Sequence, residues 1–208
     1  MFKTNQKSQQ LLRFLSLSIA RAQLSLVDRT VQHVLSRIAP GRFRRRIGQL
    51  HLSDLYEIEP PAGAAHLFKV AMYSPRQSSS DCVMITNVAD GWNSLCHLIA
   101  REHLEFQIQV ISTRPGVEYP QNFLEVWRAG ESVRKIMAMR DSDKWLFFQE
   151  GTPEGFEETE RYNLKTKRDR LNRDSVIRSL RKIGWNIEQS SFWTATGDAI
   201  YFDETRKG

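Results

Sequence analysis

Cysteine is scarce in this sequence of 208 residues, which contains only Cys82 and Cys96 and no Cys-x-x-Cys pair. Two cysteines cannot form a disulfide framework of the kind that small secreted domains use. The sequence therefore predicts a protein of a reducing compartment, and we expect a cytoplasmic location.

Long apolar runs are missing as well. The longest uncharged stretch near the N-terminus runs from Phe14 to Ala20, between Arg13 and Arg21, whereas a helix that crosses a bilayer needs about 20 apolar residues. No transmembrane segment is predicted. A secretory signal peptide is also disfavoured, because its apolar core would be too short and would contain arginine.

Motifs that assemble catalytic or cofactor sites are absent from the sequence. It has no GxGxxG, GxxxxGK[ST], HExxH or GxSxG pattern, so no cofactor and no metal are expected. His97 and His103 are six residues apart, which points them in different directions on a helix. Cys96 falls on an apolar helical stripe, where cysteine behaves as a small hydrophobic residue. These absences favour a non-catalytic protein. The remaining alternative is a small hydrolase or transferase. It would use His97, Cys82 and the turn acids Asp141, Asp143 and Glu150.

Acidic residues are nearly missing from residues 1–53, which contain ten Lys or Arg and a single acid, Asp28. The remaining residues contain twenty Lys or Arg and twenty-three acids. This split and the stretch EPPAGAA predict three parts, namely a basic helical arm over residues 1–53, a linker over 54–66 and an α+β domain over 67–208.

The arm is predicted to be helical from Leu11 to Ile38, because Val27, Val31, Val34, Leu35 and Ile38 recur on one helical face. Its clustered arginines suit the phosphates of nucleic acid. A helix with one basic and one apolar face also suits an anionic membrane surface, and an organellar transit segment is a further alternative. The structural interpretation is an extension whose apolar face docks on the main domain.

Short strands dominate residues 67–208. Predicted strands are 67–73, 82–88, 106–112, 123–129, 133–139 and 144–149, with a last hairpin over 191–202, and predicted helices are 90–103, 157–171 and 173–183. The strand KWLFFQ at 144–149 is the most hydrophobic and is expected deep in the core. Because strands follow one another, we predict an α+β fold with a mainly antiparallel sheet and helices packed on one face, preceded by a basic helical N-terminal segment.

A second basic region covers residues 161–182, which contain nine Lys or Arg and two acids, after four glutamates within 154–160. Acids before bases suit the dipole of an ordinary surface helix, so this structural interpretation competes with a cationic face for an acidic partner. The candidate binding residues of the two basic regions are Arg42, Arg44, Arg45, Arg46, Arg161, Lys165, Lys167, Arg168, Arg170 and Arg173.

The run from Arg134 to Trp185 has a distinctive order: an aromatic strand, a Gly, Phe-Glu, a Tyr, Arg-Asp-Arg-Leu and a final helix ending in Gly. The residues concerned are Trp145, Phe147, Gly151, Phe156, Glu157, Tyr162, Arg168, Asp169, Arg170, Leu171 and Gly184. Together with DGWNSL at 90–95, this order resembles small, mostly uncharacterised bacterial α+β proteins of the immunity or antitoxin type, over about residues 67–187. The resemblance implies a protein that occludes a partner and does not catalyse a reaction.

The sequence thus predicts a non-catalytic protein that binds another macromolecule. The first hypothesis is a protein partner bound by immunity-like occlusion. Nucleic-acid binding by the basic arm and the 161–182 face is the alternative, and peripheral membrane contact by the N-terminal helix is less favoured.

Overall fold

The structure of the protein is a computed structural model that describes residues 14–55, 67–88, 92–102, 104–113 and 118–205. In these ranges nine strands form one sheet, in which every neighbouring pair is antiparallel. The strands are β1 (Phe14–Ala20), β2 (Phe43–Gly48), β3 (Lys69–Tyr73), β4 (Cys82–Thr86), β5 (Phe106–Thr113), β6 (Gln121–Arg128), β7 (Glu131–Asp141), β8 (Lys144–Gly151) and β9 (Ala199–Glu204). Their order across the sheet is β2-β9-β3-β4-β1-β5-β6-β7-β8.

Three short helices and one single helical turn accompany the sheet within the described ranges. They are α1 (Leu24–Ile38), α2 (Asn93–Arg101), the single turn α3 (Lys167–Arg170) and α4 (Arg173–Lys182). Short 3-10 segments lie at Leu52–Leu55 and Thr159–Asn163.

The predicted fold class, with helices packed on one face of the sheet, is wrong. The chain is dominated by its nine-stranded sheet, and the few helices are divided between two apolar clusters. Successive residues of a strand point to opposite faces, and in β3 Met72 belongs to the cluster of α1 and α2 while Ala71 belongs to the cluster of α4. The clusters therefore lie on opposite faces, and no single helical layer exists in the described chain.

The expected basic helical segment ahead of the sheet is wrong for a second reason. Residues 1–13 of the predicted arm and 56–66 of the predicted linker lie outside the described residues. The first described part of the arm is β1, the fifth of the nine strands, where Leu17 pairs with Ile85 of β4 and with Val110 of β5. Leucines and isoleucine alternate there with Ser16 and Ser18, which is the period of a strand and not of a helix. Further along, β2 also joins the sheet, so strands from both sides of residues 54–66 share it.

The helical part of that segment is confirmed from Leu24 onwards. Val27, Val31, Val34 and Leu35 of α1 are buried against the sheet. The apolar face of α1 is therefore covered by the protein itself, and the side of the helix that stays exposed is polar apart from single residues such as Ile38.

Towards the C-terminus the predictions have mixed outcomes. Helix α4 is confirmed together with its N-cap, because Asn172 accepts a hydrogen bond from the backbone N–H of Ser175 in a reciprocal capping box. The helix predicted over 157–171 is wrong, since this region contains only a 3-10 segment and α3. The last hairpin is also wrong, because β9 pairs with β2 and β3.

Candidate functional site

The end of the sheet formed by β7 and β8 presents apolar side chains on the face that α1 and α2 occupy elsewhere. Leu146 and Phe148 of β8 are 41% and 44% exposed, and their neighbours across the strand pair are Met139 and Met137 of β7, both half-buried. The cluster beneath α1 and α2 includes no residue of β7 or β8. We call these four residues the open face.

The other face of β8 is apolar too, but it is covered. Trp145 and Phe147 pack against the cluster of α4, the ring of Phe147 lies 5.5 Å from that of Tyr162, and the Arg170 guanidinium lies 5.4 Å from the Phe147 ring. A strand that is apolar on both faces is typical of a sheet interior, yet β8 is the outermost strand. The prediction that KWLFFQ lies deep in the core is therefore wrong, and the exposed side of this strand contributes Leu146 and Phe148 to the open face.

A buried ion pair fixes the chain after β8. Arg134 of β7 is 1% exposed and donates through Nε and Nη2 to both carboxylate oxygens of Glu157, at 2.8–3.1 Å. Its Nη1 donates to the carbonyls of Glu150 and Gly151, at 3.1 and 2.8 Å. Tyr162 donates its hydroxyl to Glu157 Oε2 at 2.6 Å. Each member of this network is satisfied, so the segment that carries Glu157 and Tyr162 is held against β8.

Electrostatics strengthen this network. Burial opposes the charged form of Arg134, but the hydrogen bonds and charge of Glu157 outweigh it and raise the pKa of the guanidinium. Burial, followed by the hydrogen bond to Glu157, raises the pKa of Tyr162, so its hydroxyl remains a proton donor. A glycine is required at position 151, where β8 ends and the segment that carries Glu157 begins. Its φ is +79°, and a Cβ there would lie 1.9 Å from the carbonyl oxygen of Val133.

Most of the arginines predicted as binding residues in the first basic region are neutralised within the fold. Arg45 makes a two-pronged contact with Asp28, at 3.0 and 2.9 Å, and this hydrogen bonding raises the pKa of Arg45. Arg46 donates to Asp203 at 2.6 Å and lies 3.7 Å above the ring of Tyr201, while Arg42 pairs with Glu204. Of this group only Arg44 is exposed with no ion pair to any residue that the structure describes.

The second basic region separates into two sets. Arg161 donates to the carbonyl of Asp169 at 2.6 Å, Arg170 to that of Leu164 at 2.7 Å, and Arg173 is half-buried, so these three are structural. Lys165, Lys167 and Arg168 are exposed around α3 and form the cation cluster. In the described part of the chain, the one ion pair of this cluster joins Arg168 to the neighbouring Asp169, at 3.6 Å.

The groups considered for catalysis lie on separate elements. Cys82 begins β4, and burial raises the pKa of its thiol far above the usual value, which removes its nucleophilic form. Asp141 ends β7 and Asp143 lies in the turn that follows, and both are exposed. Strand β7 is four strand spacings from β4, or roughly 19 Å. His97 is exposed on α2, with its ring 6.4 Å from that of Trp127. Within the described residues, no three His, Cys, Asp or Glu side chains are grouped to hold a metal.

One more buried acid, Glu125 of β6, is also fully engaged. It is 1% exposed and takes an ion pair from Lys135 at 3.0 Å and a hydrogen bond from Ser132 at 2.7 Å. Because Lys135 stands beside the open face, this pairing leaves the face without a free cation from β7. The side-chain amide of Asn93 also donates to Glu125 Oε2, at 3.5 Å, so Glu125 is explained as the partner of three neighbours.

Comparison of the chain with protein-family models, with curated proteins and with solved structures gives no match. None of the helices in the described ranges combines the length and apolarity that crossing a bilayer requires. The functional argument therefore depends on the geometry of this molecule.

Sequence reasoning missed two features of the site. The pairing of Arg134, inside a predicted strand, with Glu157, one of the glutamates before the second basic region, was not predicted. The open face was missed because apolarity alone does not show whether a strand lies at the centre or the edge of a sheet. Two features of the sequence could have indicated the ion pair. One is Arg134 among the apolar residues of the predicted strand 133–139, and the other is the acid of Phe156-Glu157 in the resemblance motif.

Proposed function

We propose that the protein is a non-catalytic binding protein that recognises a protein partner through the open face. The observation that carries the proposal is the exposure of Leu146 and Phe148 beside Met137 and Met139, on a strand whose other face is packed. Contiguous exposed apolar side chains mark interaction surfaces, and methionines adapt well to a partner's shape. An immunity-like mode, in which binding occludes the partner, is part of the proposal.

The rigid support of this surface favours binding by a preformed face. The Arg134–Glu157 pair and the contacts of Phe147 with Tyr162 and Arg170 hold the covered side of β8. A fixed apolar surface loses little conformational entropy on association. Cys82 and Cys96 form no disulfide in the structure, which supports the proposed reducing, cytoplasmic location.

The test is capture of the partner with a matched pair of variants. The full chain carrying Leu146→Glu and Phe148→Glu is compared with Ile47→Glu, which also changes an exposed apolar residue (57% exposed) but on β2 at the opposite edge. After cross-linking in the native cells, we expect one stoichiometric protein on the wild type and on Ile47→Glu, and its loss from the double variant. Absence of any stoichiometric protein, or equal capture by all three, contradicts the proposal.

Nucleic-acid binding is the second candidate, and the cation cluster of Lys165, Lys167 and Arg168 is the observation that favours it. Each phosphate contact contributes about −0.9 to the slope of log affinity against log salt for duplex DNA. Three cations therefore give a slope no steeper than about −3. Fluorescence anisotropy with a random duplex at two salt concentrations tests this, with Lys165→Glu/Lys167→Glu as the variant and Arg44→Glu as the control. No binding at low salt eliminates this candidate.

A further inference from the structure

The two edges of the sheet are built differently. The outermost strands are β2 and β8, and an edge strand presents unpaired backbone groups that invite pairing with another strand. In β2 three consecutive arginines, Arg44 to Arg46, occupy the edge. Arg45 and Arg46 are ion-paired with Asp28 and Asp203, Arg44 is exposed, and charged side chains on an edge strand discourage pairing with another strand. In β8 the charges stand only near the ends, at Lys144 and Glu150, with Trp-Leu-Phe-Phe-Gln between them. The edge of β8 thus lacks the protection that β2 has.

The sequence of β8 is complementary to itself when read in the opposite direction. About Phe147 as the centre, Leu146 faces Phe148, Trp145 faces Gln149 and Lys144 faces Glu150. Both charged side chains are exposed, and neither forms an ion pair with another residue that the structure describes. Antiparallel pairing of two copies about a two-fold axis would therefore form two cross-strand ion pairs, each between Lys144 of one copy and Glu150 of the other.

We propose that β8 pairs with β8 of a second copy of this chain, antiparallel and centred on Phe147, so that two sheets join into one. In this register Leu146 lies beside Phe148 of the second copy, on the same face. The pairing uses backbone groups at the edge and leaves the open face uncovered, so the open faces of two copies become one continuous apolar platform. The use of that platform rests on the proposed function, whereas the pairing itself depends on the edge strand alone.

Charge reversal with a charge swap tests this register. The full chain is examined by sedimentation velocity over a range of concentrations, as wild type, as Lys144→Glu, as Glu150→Lys and as the double variant that carries both changes. We expect a wild-type dimer, a dissociation constant raised roughly tenfold or more in each single variant, since each reversal makes two cross-strand pairs repulsive, and restoration in the double variant. High salt should reduce the difference between the variants.

The double variant separates pairing between copies from effects within one copy. On β7, Lys144 stands opposite Asp141 and Glu150 stands opposite Lys135. Both exchanges bring like charges together within the chain, so an intramolecular effect would be worst in the double variant. Only pairing across copies predicts that the double variant recovers.

Three outcomes overturn the inference: a wild type that stays monomeric at its highest soluble concentration, a dimer that neither single reversal weakens, or a double variant that fails to recover. A second measurement uses the variant Leu146→Cys/Phe148→Cys, whose new thiols should give a covalent dimer on mild oxidation while the buried Cys82 and Cys96 do not react. If the oxidised variant contains no disulfide-linked dimer and only single chains are recovered, the result counts against the pairing. A wild type that stays monomeric but captures its protein partner would refute this inference alone. A wild type that dimerises but captures no partner would refute the proposed function alone.

Discussion

Replacing Glu157 by glutamine should reveal how strongly the buried pair holds the segment after β8. The change leaves the Arg134 guanidinium, 1% exposed, without its counter-charge, and breaking a buried pair by removing one partner costs about 3–5 kcal/mol. Glutamine keeps the shape of the side chain and part of its hydrogen bonding, so we expect the lower end, about 3 kcal/mol. This loss corresponds to a change of more than a hundredfold in the unfolding equilibrium.

The matched control is Glu154→Gln. Glu154 makes an equally well-formed pair with Arg128, at 3.0 and 2.7 Å, but the Arg128 side chain is 48% exposed, and such pairs contribute about 0.2–1 kcal/mol. Equilibrium unfolding in guanidinium, followed by tryptophan fluorescence, gives both values. If the two variants lose the same stability within about 0.5 kcal/mol, burial does not determine the strength of the Arg134–Glu157 pair and the reasoning is refuted.

Two further predictions concern the same end of the molecule. Gly151→Ala should cost about 3 kcal/mol or more, because the added Cβ meets the Val133 carbonyl and the residue has positive φ; Gly155→Ala, where a Cβ meets nothing within 4 Å, is the control in the same unfolding experiment. Hydrogen bonds from Arg178 lower the pKa of Glu158 below its usual 4.5, so the pair stabilises the fold above that value and loses its effect as pH falls through the folded-state pKa. Glu158→Gln should therefore be less stable than wild type by up to about 1 kcal/mol at pH 7 and equal to it in strong acid, and an equal difference at both pH values would contradict this.

Local signals explain what the sequence predicted correctly. The capping box of α4 involves Asn172 and Ser175, which are three residues apart in the sequence. The buried residues of α1 recur at helical spacing within one short segment. The hairpin strands β6, β7 and β8 follow one another with short turns, so their order was readable. In each case the contacts that define the element are close in the chain.

Contacts that are distant in the chain explain the failures. The segment 14–20 contains both apolar density and strict alternation, and its assignment as a strand depends on β4 and β5, which lie more than sixty residues away. The pairing of Arg134 with Glu157 spans 23 positions. The position of β8 at the edge follows from the full strand order, so hydrophobicity wrongly indicated deep burial.

The basic and acidic parts of the sequence lie side by side in the folded sheet. This affects which edge of the sheet is available for pairing with another strand. Strand β9 comes from the acidic end of the chain and lies beside β2, so Asp203 and Glu204 neutralise arginines that were predicted to form a binding arm. The exposed charge of Arg44, together with the ion-paired Arg45 and Arg46, then disfavours pairing of β2 with another strand. At the opposite edge β8 has no such charge between its ends, and it carries apolar side chains on both faces. A sheet with one protected and one unprotected edge favours association at the unprotected edge, and this asymmetry is the physical basis on which we propose association through β8.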